Sequence, residues 1–187
     1  MVYVIIVACI SVAAAHFDYP GRPSIGDLLK FYEKDQVTYL VKRTYASIVE
    51  GQAPKCIHNK VDNVSDKALD IYQGYTYHQG GLRVSIKYAV NIKLSRDKGY
   101  DVAPTMTADK SSVPKMKRNY RFHYYDDNAH CAVLTFKDYS GTLRCELHTW
   151  KTTATYTRYG NCEAEYMYQC PGHKSHSVDL SHCPEAV

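Results

Sequence analysis

The clearest pattern along the chain is a strict alternation of apolar and polar residues from Leu82 to Leu94. Every second residue from Leu82 is apolar, and the residues between them are mostly basic or polar. A period of two predicts a long strand with one buried face and one face in water. Because this run is longer than most strands of flat sheets, it favours a tilted, closed barrel.

Five further segments have strand character, with turn residues such as Gln79-Gly80-Gly81 and Ser140-Gly141 between some of them. They cover residues 36–45, 70–78, 120–125, 131–139 and 143–151. The segment from Gly99 to Pro114 has no periodicity, so we predict an irregular strand or a loop at the barrel mouth.

Two segments have helical spacing. Ser24 is a capping residue in the first of them, from Pro23 to Tyr32, and the second runs from Cys162 to Cys170. The element order therefore predicts an all-β, antiparallel up-and-down barrel that encloses one small ligand, with a short N-terminal helix and a C-terminal helix.

The first fifteen residues, MVYVIIVACISVAAA, are apolar throughout and end in three alanines. The run is too short for a bilayer span, and signal peptidase accepts small residues before its cut. We therefore predict a secretory signal over residues 1–15, an extracellular protein, and one domain over residues 16–187. No later apolar run has the length of a membrane span, so we expect no membrane contact.

Cysteine use agrees with export. Cys9 lies in the predicted signal, and the six cysteines after it are an even number, which in a secreted chain indicates up to three disulfides. Their spacing alone leaves several connectivities open, and the absence of a CxxC pair argues against zinc. Asn63 begins an Asn-Val-Ser sequence, which predicts N-glycosylation there.

The net charge of +4 is modest, and the basic residues are scattered among acidic ones. The basic cluster at residues 115–118 is short, which indicates a solvated edge or loop and no nucleic-acid partner. Three histidines, His173, His176 and His182, lie in a polar C-terminal segment that does not suggest a metal site. The sequence has no GxSxG, HExxH, P-loop or dinucleotide fingerprint. We therefore predict a binding protein, not an enzyme, without cofactor or metal.

Residues 143–150, LRCELHTW, raise a chemical question. In a strand, alternation puts Arg144, Glu146, His148 and Trp150 on one face, and a carboxylate that faces an apolar interior is costly unless it is paired or hydrated. In one interpretation, Glu146 bonds an arginine or tyrosine hydroxyls inside the barrel. In the other, it awaits a cationic ligand, which would gain a charge-assisted hydrogen bond and a cation–π contact with Trp150.

These features together resemble the salivary lipocalins of ticks, whose best-described members are histamine-binding proteins. Cysteine spacing, a strand motif and the N-terminal helix agree over nearly the whole mature chain. The matching segments are DLLKFYEKDQVTYLVKRTY (27–45), Cys56, YYDDNAHCAV (124–133), CELHTW (145–150), Cys162 and Cys183.

The resemblance implies a lipocalin-type eight-stranded barrel and a tick salivary protein that sequesters host mediators and so evades host defence. It also implies two ligand residues, Tyr45 at the end of the first strand and Glu146 in the Glu-Leu motif. We expect a monomer that acts by stoichiometric binding. The disulfides implied by the resemblance are Cys56–Cys183 and Cys131–Cys162, which leave Cys145 and Cys170 to pair with each other.

The chain departs from the amine-binding members at three positions. They usually have a tryptophan where this chain has Leu29, an aspartate where it has Ile48, and an aromatic residue where it has His148. Each charge-assisted hydrogen bond lost from a pocket removes roughly 1.5 to 3 kcal/mol, or about tenfold to a hundredfold in affinity. These exchanges lower the affinity expected for an amine.

Arg43 introduces a different ligand class. Alternation puts Arg43 on the same strand face as Tyr39, Val41 and Tyr45, so an inward Tyr45 brings Arg43 and Tyr39 inward as well. There, Arg43 would neutralise Glu146 or hold the carboxylate of a fatty acid or leukotriene, which other tick lipocalins bind. Alternatively, its long side chain reaches the solvent at the barrel rim.

The sequence thus leaves three functions open, in this order. The first is a trap for a biogenic amine such as histamine, with Glu146 as counter-ion and Tyr45 and Trp150 as walls. The second is a trap for an anionic lipid, a fatty acid or eicosanoid, held by Arg43 and His148. The third is a barrel filled by side chains whose surface binds a host protein. His148 beside Glu146 also suggests pH-dependent release.

Overall fold

The computed structural model describes residues 22–98, 102–110 and 116–183. The predicted signal over residues 1–15 lies outside the described residues. Within the described ranges, no helix is long and apolar enough to cross a membrane. These ranges form an antiparallel barrel, with one helix before its first strand and another after its last long strand.

The first element is a short helix, α1 (Ile25–Phe31), which lies where the sequence predicts it. The Ser24 hydroxyl accepts the backbone N–H of Asp27, and the Asp27 carboxylate accepts the backbone N–H of Ser24. This reciprocal cap satisfies two backbone donors at the helix start. Leu28 and Phe31 lie on one face of the helix and are fully buried in the barrel core, so α1 closes one end of the barrel.

Eight antiparallel strands form the barrel wall. They are β1 (Val37–Arg43), β2 (Lys55–Ser65), β3 (Ala68–Gln79), β4 (Leu82–Ser95), β5 (Thr105–Lys110), β6 (Met116–Asp126), β7 (Cys131–Lys137) and β8 (Leu143–Trp150). Each strand pairs with the next one along the chain, and β1 also pairs with β8, which closes the sheet. The predicted eight-stranded up-and-down barrel is confirmed.

Two of these strands are not among the segments in which alternation predicts a strand. The pairing of β2 with β3 shifts between Lys55 and His58 and again between Val61 and Asn63, and each shift interrupts the alternation of faces. The short β5 lies in the segment for which we expected an irregular strand or a loop. It pairs with β4 and β6 and completes the wall.

An irregularity in β1 decides which of its side chains face the interior. Its register against β8 shifts between Leu40 and Lys42. As a result, Tyr39 and Val41 pack in a cluster outside the sheet, while Arg43 borders the barrel cavity. The prediction that these three residues share one face is therefore wrong, because an extra residue in one strand changes its alternation.

The second helix, α2 (Asn161–Gln169), agrees with the helix predicted at residues 162–170. It packs on the outside of the barrel, where Lys42 of β1 forms an ion pair with Glu163 of α2. The helix covers the outward face of β8 and buries an outer cluster. The buried residues of the outer cluster are Tyr39, Val41, Cys131, Val133, Cys145, Leu147, Ala154, Tyr159, Cys162, Tyr166 and Cys170.

Three disulfides hold the α2 helix and the C-terminal segment to the barrel. A short strand, β9 (His176–Ser177), pairs with β1, and the Cys56 backbone N–H donates to the Asp179 carbonyl, so this segment bridges β1 and β2. The disulfides have the pairing that the resemblance implies. They are Cys56–Cys183, Cys131–Cys162 and Cys145–Cys170.

The sheet leaves no room for a side chain at Gly74 of β3. A Cβ atom there would lie 2.4 Å from Cε1 of His58 on β2. The His58 ring is held in place, because its Nδ1 donates to the Cys56 carbonyl at 2.8 Å and its centre lies 5.7 Å from that of Tyr39. We expect Gly74→Ala to lower the free energy of unfolding by about 1–3 kcal/mol, the usual cost of overpacking.

Urea unfolding measures this loss. A double variant, Gly74→Ala with His58→Ala, should recover part of the stability, because the smaller side chain at residue 58 makes room for the new methyl group. Wild-type stability in the single Gly74→Ala variant would contradict this arrangement of β2 and β3.

Candidate ligand-binding site

The barrel interior contains a cavity with two adjoining regions. The inner region has a volume of about 70 Å³, and the outer region has a volume of about 230 Å³. Together the two regions have a volume of roughly 300 Å³, which is the lower limit for a ligand pocket, so the protein-binding alternative stays open. The residues that border both regions are Gln73, Tyr88, Lys110, Met116, Arg118, Tyr120, Glu146 and His148.

The two regions differ in chemistry. The outer region reaches the loop between β1 and β2, where Ser47, Val49 and Pro54 border it. This loop marks the mouth of the cavity, opposite the end that α1 closes. The inner region has an apolar floor, formed by Tyr32, Ile71, Val90, Ile92, Met106, Ala108 and Leu134.

Glu146 lies between the two regions, and only 5% of its side chain is exposed. The Tyr45 hydroxyl donates to Glu146 Oε1 at 2.5 Å, and His148 Nε2 lies 2.9 Å from Oε2. Arg118 Nη1 lies 3.8 Å from Oε1. The carboxylate thus already has an arginine and a tyrosine hydroxyl as partners, which is the first of the two interpretations that the sequence left open.

These partners also set the charge state of Glu146. Burial alone raises the pKa of the Glu146 carboxyl, but the hydrogen bond with His148, the charge of Arg118 and the Tyr45 hydroxyl outweigh it, so the pKa lies below its ordinary value. Burial and the neighbouring carboxylate raise the pKa of Tyr45 well above its ordinary value, so Tyr45 remains a hydrogen-bond donor. Glu146 is therefore an anion at neutral pH.

The lowered pKa of Glu146 predicts a pH-dependent stability. A carboxyl with a lower pKa in the folded chain stabilises the fold above its unfolded pKa, near 4.5, and this contribution is lost as the pH falls through the folded pKa. At neutral pH we expect Glu146→Gln to lower the free energy of unfolding by about 1–3 kcal/mol. The difference from wild type should shrink as the pH falls from about 5 to about 3. Urea unfolding of both proteins measures it, and a pH-independent difference would exclude a role for the charge.

Arg118 is a site residue that was not predicted from the sequence. We interpreted its basic cluster as a solvated edge or loop, which is wrong for this residue. Its guanidinium lies 4.1 Å from the centre of the Phe136 ring, and its Nη1 donates to the Tyr120 hydroxyl at 3.0 Å. Burial lowers the pKa of Arg118, but Tyr120 and Glu146 raise it above its ordinary value, so the side chain stays charged. The sequence feature that indicates an inward Arg118 is its alternation with Tyr120 and Phe122, which puts the three residues on one strand face.

Arg43 lies opposite Glu146 in the register of β1 and β8, and its side chain borders the outer region. The residue is only 5% exposed, so it does not reach the solvent at the rim. Its guanidinium carbon lies 5.2 Å from the centre of the Tyr45 ring, and its Nε has no hydrogen-bond partner. No carboxylate of the described residues forms a salt bridge with it. A buried guanidinium without a counter-charge is costly, which makes it a candidate anion site.

Lys110 at the end of β5 is a further cation at the cavity. Its Nζ lies 4.1 Å from the centre of the Tyr88 ring, and within the described chain it forms no salt bridge. Burial raises the pKa of Tyr88 to about 12. The Tyr88 hydroxyl donates to Gln73, whose amide donates to Asn59 at 3.1 Å. This chain of hydrogen bonds fixes the aromatic ring against which Lys110 lies.

Two predicted ligand residues, Trp150 and Tyr39, do not border the cavity. Trp150 shares the inward face of β8 but lies near α1, where its Nε1 donates to the Phe31 carbonyl at 3.0 Å and its ring stacks on His130 at 4.1 Å. Tyr39 belongs to the outer cluster because of the irregularity in β1. The predicted residues that the structure does bring together at the cavity are Arg43, Tyr45, Glu146 and His148.

Two positions that differ from the amine-binding relatives also lie away from the cavity lining. Leu29 packs against the barrel core, and Ile48 is 64% exposed in the loop at the mouth. Asn63 is exposed on β2, and its glycosylation stays a prediction. In the described part of the chain, no group of three His, Cys, Asp or Glu side chains is arranged to hold a metal ion.

A closed antiparallel barrel with polar groups inside its cavity defines a ligand-binding protein of the lipocalin type. Residues 22–185 match the family described as "Tick histamine binding protein". The chain therefore belongs to the tick histamine binding protein family, as its sequence resemblance implied. No curated protein matches the chain.

Solved structures share this barrel at low sequence identity. A structure described as "AM182 Serotonin Complex" is 16% identical, with a TM-score of 0.58, and the match covers 91% of this chain and 98% of that one. Japanin from Rhipicephalus appendiculatus, bound to cholesterol, is 14% identical, with a TM-score of 0.58 and coverage of 81% and 96%. H1 crustacyanin from the lobster Homarus americanus is 13% identical, with a TM-score of 0.52 and coverage of 89% and 92%. At these identities the likeness concerns the fold.

Proposed function

We propose that this protein sequesters a small amphipathic anion, such as a fatty acid or eicosanoid, inside its barrel. The observation that carries this proposal is the buried guanidinium of Arg43, which borders the cavity and has no carboxylate partner among the described residues. A ligand carboxylate in the outer region would supply the bidentate partner that a guanidinium favours. It is the second of the three functions that the sequence leaves open.

The charges around the cavity favour an anion over an amine. Among the described residues, Arg43, Lys110 and Arg118 border it, against one carboxylate, that of Glu146. Charges interact more strongly in a partly desolvated cavity than in water. The excess positive charge therefore attracts an anionic head group and opposes the burial of an ammonium group.

The apolar floor suits the hydrocarbon part of such a ligand. A chain that enters from the mouth passes Arg43 and reaches the aliphatic side chains of Ile71, Ile92 and Leu134. Burial of each methylene group contributes about 0.8 kcal/mol, so the part of the tail that enters the inner region adds to the affinity. The cation near the mouth then fixes the orientation of the ligand.

A biogenic amine such as histamine is the second candidate. Family membership favours it, and so does the position of Tyr45 and Glu146, the two ligand residues implied by the resemblance, at the cavity. One similar barrel is described as a serotonin complex. However, an ammonium group would have to compete with Arg118 and His148 for the Glu146 carboxylate, so we expect weak amine binding.

Competition binding separates the ligand classes. The delipidated, disulfide-intact protein is saturated with cis-parinaric acid, a fluorescent fatty acid, and arachidonate, methyl arachidonate or histamine is added. We expect displacement by micromolar arachidonate, at least about tenfold weaker displacement by its uncharged methyl ester, and none by histamine at micromolar concentration. Isothermal titration with histamine covers the case in which cis-parinaric acid does not bind. Heat of histamine binding without binding of either fatty acid would support the amine instead, and binding of neither class would favour the host-protein alternative.

The proposal includes export and action outside the cell, as a non-catalytic monomer of tick saliva that removes a host mediator. Family membership and three disulfides support it, because such bonds persist in oxidising compartments. Expression of the full chain in insect cells tests it. We expect the protein in the medium, with His16 as its first residue, and retention inside the cells would contradict export.

A further inference from the structure

The cavity carries more positive charge than one carboxylate neutralises. Arg43 and Lys110 both border the outer region, and neither pairs with a carboxylate of the described residues. A singly charged ligand that pairs with Arg43 would leave Lys110 without a counter-charge. The ligand that suits both cations therefore carries more than one negative charge.

Glu146 does not meet this requirement. It lies opposite Arg43 in the strand register, yet its Oε1 is engaged by Tyr45 and Arg118 and its Oε2 by His148. The carboxylate is thus committed to other partners. Arg43 remains 5% exposed, with its Nε unbonded.

Lys110 is half-buried and borders both regions of the cavity. Its Nζ lies over the Tyr88 ring, and its neighbour in the register of β5 and β6 is Met116, which borders the same regions. A cation–π contact orients an ammonium group without neutralising it. Lys110 is therefore available as a point charge for a ligand.

We propose that the head group this cavity accepts best is a phosphate monoester on an apolar chain, held between Arg43 and Lys110. This inference rests on the proposed function, because it names the head group of the same amphipathic anion. A phosphate monoester carries a charge of about −1.5 to −2 at neutral pH and has three acceptor oxygens. The guanidinium holds two oxygens in its fork, and the ammonium group pairs with the remaining charge. A carboxylate has one charge and two oxygens.

Three ligands with ten carbon atoms each distinguish the effect of head-group charge from that of head-group shape. They are decyl phosphate, decyl sulfate and decanoate, and displacement of cis-parinaric acid below their micelle concentrations measures each affinity. The sulfate has the tetrahedral shape of the phosphate but only one charge. At about pH 8 we expect decyl phosphate to bind at least about tenfold more tightly than the other two.

The pH dependence gives an internal control. The phosphate monoester takes up a proton near pH 6, so its advantage should disappear by about pH 5. Decyl sulfate does not titrate in this range, so any change in its affinity with pH comes from the protein and not from the ligand. The ratio of the two affinities therefore isolates the second charge of the phosphate.

Lys110→Gln should weaken decyl phosphate binding at least about tenfold and decanoate binding by a smaller factor. Lys93→Gln, at an exposed lysine of β4, is the matched control and should change none of the three affinities. Thermal unfolding of both variants verifies that they fold. A phosphate preference that survives in Lys110→Gln would overturn the role of Lys110.

The outcomes also separate this inference from the function on which it rests. Equal affinity for decyl phosphate and decyl sulfate at about pH 8 would overturn the doubly charged head group and leave an anion-binding barrel. Failure of all three ligands, together with failure of cis-parinaric acid, would overturn both proposals.

Discussion

Arg43→Gln is expected to bind arachidonate about a hundredfold more weakly than the wild type, a loss of roughly 3 kcal/mol. Glutamine keeps a polar amide at this position but has neither the charge nor the fork of the guanidinium. Displacement of cis-parinaric acid by arachidonate measures the change. The free energy of unfolding should not fall, because the substitution removes a buried charge that has no counter-charge among the described residues.

Arg121→Gln is the matched control for this variant. Arg121 is an exposed arginine on β6, so its substitution removes the same charge from the protein without touching the cavity. We expect wild-type affinity for arachidonate in the control. Undiminished affinity in Arg43→Gln would remove the main support for anion binding, whereas a large loss of stability in that variant would indicate a structural role.

Glu146→Gln is expected to bind arachidonate at least about tenfold more tightly than the wild type. The substitution removes the single carboxylate among the described residues that border the cavity and releases Arg118 for the ligand. An amine site would behave in the opposite way, because it would lose its counter-ion. The same displacement assay with arachidonate and isothermal titration with histamine measure both outcomes.

The control for this variant is Glu163→Gln on α2, where the carboxylate pairs with Lys42 outside the barrel. It should leave both affinities unchanged. Weaker arachidonate binding in a folded Glu146→Gln protein would falsify the view that this carboxylate opposes the anion, and abolished histamine binding in the same variant would establish the amine function.

The fold was predictable wherever a strand has two chemically different faces and a regular register. In β4 the alternation from Leu82 to Leu94 matches a register with β3 that is free of shifts. In β2 the two shifts, and a positive φ of 51° at Cys56, interrupt the alternation, so the segment has no clear period. Register shifts depend on the partner strand, which the local sequence does not contain.

The same reasoning explains which site residues were predictable. The β8 register against β7 is regular from Leu143 to Thr149, so the inward positions of Glu146 and His148 follow from sequence parity alone. In β1, alternation predicts that Tyr39 faces inward with Arg43, but one extra residue near Val41 puts the two side chains on opposite faces. A bulge of this kind has no local signature in the sequence of β1.

Which face of a strand a residue occupies was easier to predict than its position along the barrel axis. The inward position of one residue within a basic cluster was also hard to predict. Parity correctly puts Trp150 on the inward face of β8, but only the packing of α1 places it next to the Phe31 carbonyl rather than at the cavity. Arg118 alternates with Tyr120 and Phe122, which indicates an inward side chain, but its place in a basic cluster led to the wrong prediction of a solvated edge or loop. Arginine is costly inside a barrel unless a carboxylate is there, and the pairing with Glu146 joins segments that are distant in the sequence.

The closure of the barrel by α1 has a kinetic consequence. With Leu28 and Phe31 sealing one end, a bound amphiphile leaves through the mouth with its head group first. Contacts at Arg43 must therefore break before any apolar surface of the tail returns to water. The contacts at the mouth therefore determine the lifetime of the complex. Substitutions at Arg43 should change mainly the dissociation rate. Substitutions in the apolar floor should instead change how far the tail enters the barrel.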